Sequence, residues 1–450
     1  MLRSRAFVCA REILLLMSEA SRQIARQIFF EAMAATTVEA ACSRLLSVRN
    51  GVLRAGAYEY ELAGFAGVQI VSIGKAGATL FDAVRGLIPA GMAVRSVVSA
   101  PVAPRLLTSL DLYFAGGHPL PNAASVEAAA AALAMLRNAD AKTLVLFLVS
   151  GGASAMFEEP VDAEISLADL IELNRQLVAS GATIRQVNAV RKHLSAVKGG
   201  RLAAAAPVST KLTLLISDVP VDALDALASG PTLPDTTTLE QTLDLIGAFL
   251  PSLPASVWAM LPNLEETPKP GDPAFENARH VVLLDNAALL EAAKLAAERR
   301  GFAVEIDNSC DDWDYEQAAA YLLERSAALS RRQGKSCLLS GGEVTVRLPV
   351  VSGAGGRNQQ LALFAAASLP AGTTLLSAGS DGIDGSSVAA GAVVDDTTNA
   401  RARGRNLDPA ASLADFDAST LLAALGDTIV TGYSGNNLRD VRILLTDADT

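Results

Sequence analysis

Apolar and polar positions along the chain fall into two alternating patterns. Short continuous apolar runs predict buried strands at 67–74 (GVQIVSIG), 94–100 (VRSVVSA), 143–151 (TLVLFLVSG) and 211–219 (KLTLLISDV), the first, third and fourth ending in Gly, Ser or Asp before a loop. Between them, apolar residues recur at three- and four-residue spacing, the period of a helix with one buried face. Strand alternating with helix predicts an α/β fold built on a mostly parallel sheet. Ligands of such sheets bind beyond the carboxyl ends of the strands, so the polar residues gathered there are the first candidates for chemistry.

A proline-rich stretch, PSLPASVWAMLPNLEETPKPGDPAF, interrupts the rhythm before a second block that starts near HVVLLDN. The expected organisation is therefore an amino-terminal domain over 18–250, a linker over 251–279 and a carboxy-terminal α/β domain over 280–450. The last residues are expected to return to the amino-terminal domain. In the second block Gly301 stops the helix AALLEAAKLAAERR, and the strands FAVEID, SCLLSGG and TTLLSAG follow. A length of 450 residues exceeds what one core sustains, which agrees with two domains.

Charge and cysteine content narrow the partners. A formal net charge of −11 repels phosphate polymers and anionic membranes, so neither nucleic acid nor a membrane is an expected partner. No apolar run is long enough to span a bilayer. Cys9, Cys42, Cys310 and Cys337 are far apart and lack CxxC spacing, so a reduced, cytoplasmic protein without zinc or disulfides is expected. Early arginines before apolar residues give 1–17 the look of a signal peptide, but Arg11 and Glu12 break the run and no small-residue cleavage site follows. Met17 is an alternative start, with Ser18 capping an amphipathic helix.

Five features carry candidate chemistry. Lys75, just past a buried strand and at the mouth of a helix, could hold an anion with the helix dipole, or be a solvated loop lysine. The turn Ser150-Gly151-Gly152-Ala153-Ser154 could bring backbone amides and hydroxyls to an oxyanion, or be a tight turn that packing requires. In ATIRQVNAVRKHLSAVKGG, Ile184, Val187, Val190, Leu194 and Val197 form a buried stripe. The remaining surface carries Arg185, Arg191, Lys192, His193 and Lys198, either a solvated face or an attractor of acidic substrates. Asp218 and Asp222 follow one strand, and Asp381 and Asp384 sit in a glycine-rich loop after another; they could ligate Mg²⁺ or stabilise turns. Finally, GAGGRNQQ delivers Arg357 and Asn358 to a helix start, where a guanidinium could stabilise a transferring phosphoryl group or simply cross a surface loop.

The ordered series SIGKA, GGHPLPNAAS, LVSGGASA, NAVRKHLSAVKGGRLA, ISDVPVDALDALASGPT, SGGEVTV, GGRNQQLAL, SAGSDGIDGSSVAAGAVVD and TGYSGNNLRDVRILL resembles the type-II glycerate kinases over about residues 20 to 446. That family, marked by a MOFRL domain, is sometimes labelled hydroxypyruvate reductase. The resemblance implies ATP- and Mg²⁺-dependent phosphorylation of D-glycerate to 2-phosphoglycerate. It also implies a larger Rossmann-like amino-terminal domain and a smaller α/β carboxy-terminal domain, with the active site in the cleft between. Carried over by motif, Lys75 and Arg357 are the catalytic pair. Ser150, Gly151, Gly152, Ser154, Arg191, Lys198 and Asn358 bind substrate or nucleotide, and Asp218, Asp222, Asp381 and Asp384 are the acidic, metal-binding candidates. A homodimer is compatible with the sequence.

Four positions depart from the family pattern: Asn122 for an Asp, Val221 for a Gly, Gln360 for a Glu, and Tyr433 in the TGYSGNN loop. They leave the catalytic pair intact and bear on substrate identity, a related hydroxy acid being the alternative to glycerate. Two rival functions are an NAD(P)-dependent hydroxypyruvate or tartronate semialdehyde reductase and a non-catalytic sensor of small acids. The absence of GxGxxG followed by an acidic ribose residue argues against the first. Carboxylates beside anion-binding loops argue against the second.

Overall fold

The computed structural model describes residues 2–447, with side chains throughout except at 2–17, Val221 and Asp222. The chain forms two compact units, one made of Val38–Asp285 and the other of the chain up to Thr37 joined to Asn286 onward.

In the Val38–Asp285 unit, six parallel strands lie in the spatial order Asp111–Phe114, Val94–Ser99, Gly67–Ile73, Thr143–Val149, Thr210–Ile216, Ala278–Leu284. The central three are buried along nearly their whole length, because helices cover both faces and leave no position for a polar residue. Val71, Ile73, Phe147 and Leu215 pack against Ala128, Ala129 and Ala132 of the helix Ala123–Leu136, whose small side chains let it lie close to the sheet. Chain order runs outward one way from Gly67–Ile73 and then back the other way from Thr143–Val149. The sheet thus has its topological switch point between these two strands, where a crevice opens at their carboxyl ends.

The expected domain boundaries need correction here. Ala278–Leu284, assigned by sequence to the second block, pairs in parallel with Thr210–Ile216. The proline-rich stretch is therefore not a linker but part of a crossover within this unit, and Val257, Met260 and Leu264 bury against Leu173, Leu177 and Val190. A small antiparallel sheet, Leu46–Arg49, Val52–Ala55 and Tyr58–Glu61, precedes the main one. Asn50 and Gly51 at its first turn both adopt positive φ, as tight hairpins demand.

The other unit holds a mixed sheet in the order Ala303–Ile306, Ser336–Gly342, Asp440–Thr446, Thr373–Gly379, Gly391–Asp395, Thr428–Ile429. The helices Tyr315–Gln333, Arg357–Ala365 and Ala418–Leu425 bury Leu322, Leu361 and Leu421 against Leu338, Leu375 and Leu444. Two further expectations fail in this unit. The strand Asp440–Thr446 does not return to the amino-terminal domain but lies between two strands of its own sheet, antiparallel to both. The opening helix Leu2–Ala35 belongs to this unit and packs on Asn286–Glu298 and on this same sheet. Its buried Ala25, Ile28, Phe29 and Ala32 form the apolar face that requires that cover.

Among the described residues, Cys42, Cys310 and Cys337 are buried free thiols. No described helix is long and apolar enough to cross a membrane.

Candidate active site

At the switch point the loops after two neighbouring strands are laced together. Ser150 Oγ accepts from the Ala76 amide (3.1 Å) and donates to the Ile73 carbonyl (3.2 Å), while the Lys75 amide donates to the Gly151 carbonyl (2.9 Å). Gly74, at φ 106°, makes this approach possible, since a Cβ there would lie 2.5 Å from Ser150 O. Lys75 therefore emerges beside the Ser150–Ser154 turn, directly before the helix Gly77–Arg85. Gly152, at φ 82°, is equally constrained: a Cβ on it would stand 3.0 Å from Lys75 Cγ and 3.1 Å from His118 Cδ2. Asp218, at the end of the third central strand, lies against Gly151.

These contacts bring Lys75, the serine–glycine turn and Asp218 together as the sequence suggested, and add His118. Among the described residues, the amides of Gly151 and Gly152 donate to no protein acceptor. Ser154 Oγ lies 3.0 Å from Ser229 Oγ, which in turn donates to Asn188 Oδ1 (3.0 Å). Partial burial, and then the Lys75 charge, hold the His118 imidazole below its ordinary pKa. It is therefore neutral at pH 7 and leaves the local positive charge to Lys75. Beside this turn is a pocket of about 140 Å³ lined by His118, Gly152, Ser154, Asn174 and Arg191, and Arg191 Nε donates to Asn174 Oδ1 (2.9 Å).

The basic helix proves different from its pattern. Ile184–His193 is capped by Thr183 and Gln186, and Val187, Val190, Leu194 and Val197 are buried as expected. Ile184, at the exposed first turn, is 62% accessible and lies off the stripe. Lys192 binds Asp225 (2.9 Å) and Asp235 (3.1 Å), and His193 Nε2 meets Glu266 Oε1 at 2.8 Å. Lys198, 1% exposed, is ion-paired with Glu158. Burial pulls its ammonium down to about 7, while the adjoining carboxylate works in the opposite direction. Lys192 and Lys198 are thus tied up by carboxylates and His193 is hydrogen-bonded to Glu266, which leaves Arg185 exposed and Arg191 half-buried rather than a solvated basic face. Arg191 reaches the pocket; Lys198 is withdrawn from it.

In the other unit Arg357 opens the helix Arg357–Ala365. Its guanidinium makes a two-pronged contact with Asp440 (Nε–Oδ2 2.6 Å, Nη2–Oδ1 3.1 Å) and pairs with Glu343 at 2.7 Å, yet stays 35% exposed. Burial alone would lower its pKa, but Asp440 and Glu343 outweigh burial and raise it. Burial, then the Asp440 charge, hold the Glu343 carboxyl above the usual range. Neither carboxylate was singled out from the sequence, although SGGE and LRD followed by an apolar strand place an acid at a strand boundary in each case.

Two further candidates acquire structural tasks. Asp384 is buried and accepts the Asn358 (3.0 Å) and Gln359 (2.8 Å) amides, capping the helix that carries Arg357. Burial pushes its carboxyl up to about 6 despite those bonds. Asn358 is buried with its Oδ1 accepting from Ser377 Oγ (2.6 Å), so it presents no group to a ligand. Asp381 is half-buried on the wall of a larger cavity of about 670 Å³, which Arg357 also lines. Among the described residues, no three His, Cys, Asp or Glu side chains converge as a metal-holding group, and the Asp222 side chain lies outside the described residues.

The departures noted in the sequence are mostly local. Asn122 caps the helix Ala123–Leu136 by accepting from the Ser125 amide (2.9 Å), a task at which Asn and Asp are near-equivalent. Gln360 donates to the Leu413 carbonyl (3.0 Å), and Tyr433 is exposed. The Val221 side chain is outside the described residues.

A family model described as a domain of unknown function (DUF4147) matches residues 24–262, and that of the MOFRL family matches 336–440. A D-glycerate 2-kinase of Thermotoga maritima is 34% identical over 75% of this chain and 80% of its own, and a glycerate 2-kinase of Pyrococcus horikoshii is 30% identical over 94% and 97%. An Agrobacterium vitis relative provisionally named hydroxypyruvate reductase is 38% identical over 73% of this chain and 76% of its own. The crystal structure of a glycerate kinase from T. maritima is similar at a TM-score of 0.83 and 30% identity, covering 95% of this chain and all of that one.

Proposed function

The chain belongs to the glycerate 2-kinase family, and from that premise we propose that it transfers the γ-phosphoryl group of ATP to D-glycerate, giving 2-phosphoglycerate. The observation that carries this reading is the convergence at the switch point. Lys75 and the unoccupied amides of Gly151 and Gly152 supply positive character for a phosphoryl group, directly beside a small polar pocket holding Arg191. The pocket suits a three-carbon acid, with Arg191 as the carboxylate partner and Ser154 and His118 available to the hydroxyls. Asn122 and Gln360 both serve the fold, which removes two reasons to look beyond glycerate.

Phosphoryl transfer asks mainly for positioning and charge stabilisation. Lys75 would offset charge on the transferring group. Arg357, kept rigid and protonated by Asp440 and Glu343, would offset charge on the donor phosphates. Asp218, lying against Gly151, is the group we assign to receive the hydroxyl proton, for which a loose transition state needs little basicity. Mg²⁺ would neutralise the donor phosphates. Because the described carboxylates do not converge, it would be held largely by those phosphates and water, with Asp381 as the protein ligand, a mode usual for this ion.

The reductase alternative is not favoured, as the turn after the first central strand lacks the dinucleotide fingerprint. A coupled assay tests the proposal: ADP release that depends on D-glycerate, with the product identified by phosphorus NMR as the 2-phosphate. NADH oxidation with hydroxypyruvate in place of that activity would reject it.

A further inference from the structure

We infer that the larger cavity, contained within the unit that carries Arg357, receives the purine nucleoside of the phosphoryl donor. The inference rests on the kinase reading and assigns one of its two substrates to a place. At about 140 Å³ the switch-point pocket is too small for a nucleotide, whereas about 670 Å³ lies in the roughly 300–1,000 Å³ range of drug-sized ligands.

The wall has the chemistry a purine requires. Val346, Leu348, Ile383 and Phe416 line it, and Leu348 and Ile383 are 64% and 48% exposed, large apolar surfaces that a flat ring would cover. Phe416 carries its ring there from a left-handed backbone, φ 53°, in the junction between the helices Pro409–Ala414 and Ala418–Leu425. A bulky residue in that region is strained, and strain of this kind gathers where a side chain must be presented.

The neighbouring glycine turn decides which part of the nucleotide belongs in the cavity. The amides of Gly353, Ala354 and Gly355 are all committed, to Asp415 O, Asp417 Oδ1 and Ser386 Oγ. Those of Asn358 and Gln359 are taken by Asp384. Among the described residues of 353–359 that leaves the amides of Gly356 and Arg357, at the Arg357 end of the cavity, as the backbone donors open to phosphate. The base and ribose therefore fill the cavity, and the phosphates leave it past Arg357.

Photolabelling with 8-azido-ATP, followed by peptide mapping, tests the placement, with label expected within residues 344–348 or on the segment around Phe416. Calorimetry supplies the second measurement. Leu348→Glu, an exposed position where the fold should tolerate change, should weaken ATP binding about tenfold while the KM for glycerate stays within about twofold. Phe416→Ala, checked for an unchanged melting temperature, should do the same. Label confined to residues 38–285, or wild-type ATP affinity in both variants, overturns the inference while leaving the kinase intact. A wild-type chain that neither binds ATP nor phosphorylates glycerate overturns both.

Discussion

The turns Ser150–Ser154 and Gly353–Gly356 look alike in sequence, each a glycine pair or triplet delivering a polar residue after a strand, yet they are built for opposite purposes. In the first, glycines bring side chains to the backbone: Lys75 and His118 lie on Gly152, Asp218 on Gly151, and among the described residues the amides of Gly151 and Gly152 stay unpaired. In the second, glycines bring backbone to backbone. A Cβ on Gly356 or Gly385 would overlap the facing loop, and the amides of Gly353, Ala354 and Gly355 are already bonded. One turn is left open for a ligand and the other is sealed to hold a helix cap. Counting glycines does not separate them; accounting for every amide does.

Four experiments bear on this contrast. The largest effect is expected at the open turn, where Lys75→Ala should lower turnover by about 10³-fold, roughly 4 kcal/mol of barrier, with an unchanged urea midpoint. Near-normal turnover would end the role given to Lys75. At the sealed turn the loss should be one of stability. Gly385→Ala combines a φ of 61° with a backbone overlap and should cost about 3 kcal/mol in urea unfolding. A folded, equally stable variant would mean the loops can part.

Asp384→Asn gives a pH signature of similar size. The folded carboxyl lies at about 6 against an ordinary 3.8, so its contribution is fully present below about pH 4 and is lost as pH rises through about 6. Wild-type stability should therefore fall by about 3 kcal/mol more than that of Asp384→Asn between pH 4 and pH 7, measured by urea unfolding. Parallel pH profiles would remove Asp384 from the account. The smallest effect is expected for Gly151→Ala, whose Cβ meets the end of a movable Asp218 side chain. Turnover should drop about tenfold with stability within about 1 kcal/mol. A large stability loss instead would make this turn structural too.

What the sequence disclosed follows the range of the forces involved. The four apolar strands were legible because burial on both faces leaves continuous apolar runs, and Lys75 and Ser150–Ser154 because strand ends locate sites. The fate of the cations was not. Lys192, His193 and Lys198 pair with Asp225, Asp235, Glu266 and Glu158, and nothing in a local charge run reveals partners so distant along the chain. Arg357 was identified but not Asp440 and Glu343, which meet it only after the sheet assembles. Domain boundaries failed for a related reason. Pro-rich composition marks an irregular path, not the sheet its ends join, and Ala278–Leu284 was misassigned accordingly.

The position of Asp440–Thr446 between Ser336–Gly342 and Thr373–Gly379 has a consequence for biosynthesis. On the ribosome, Val38–Asp285 is complete and free to fold while its companion sheet still lacks an axis. The opening helix, translated first, must wait with its apolar face uncovered until Asn286–Glu298 and the strands of its own sheet have followed. A premature stop codon ahead of residue 440 would therefore release a chain with one sound half and one sheet split at its missing strand, a natural client for chaperones and proteases.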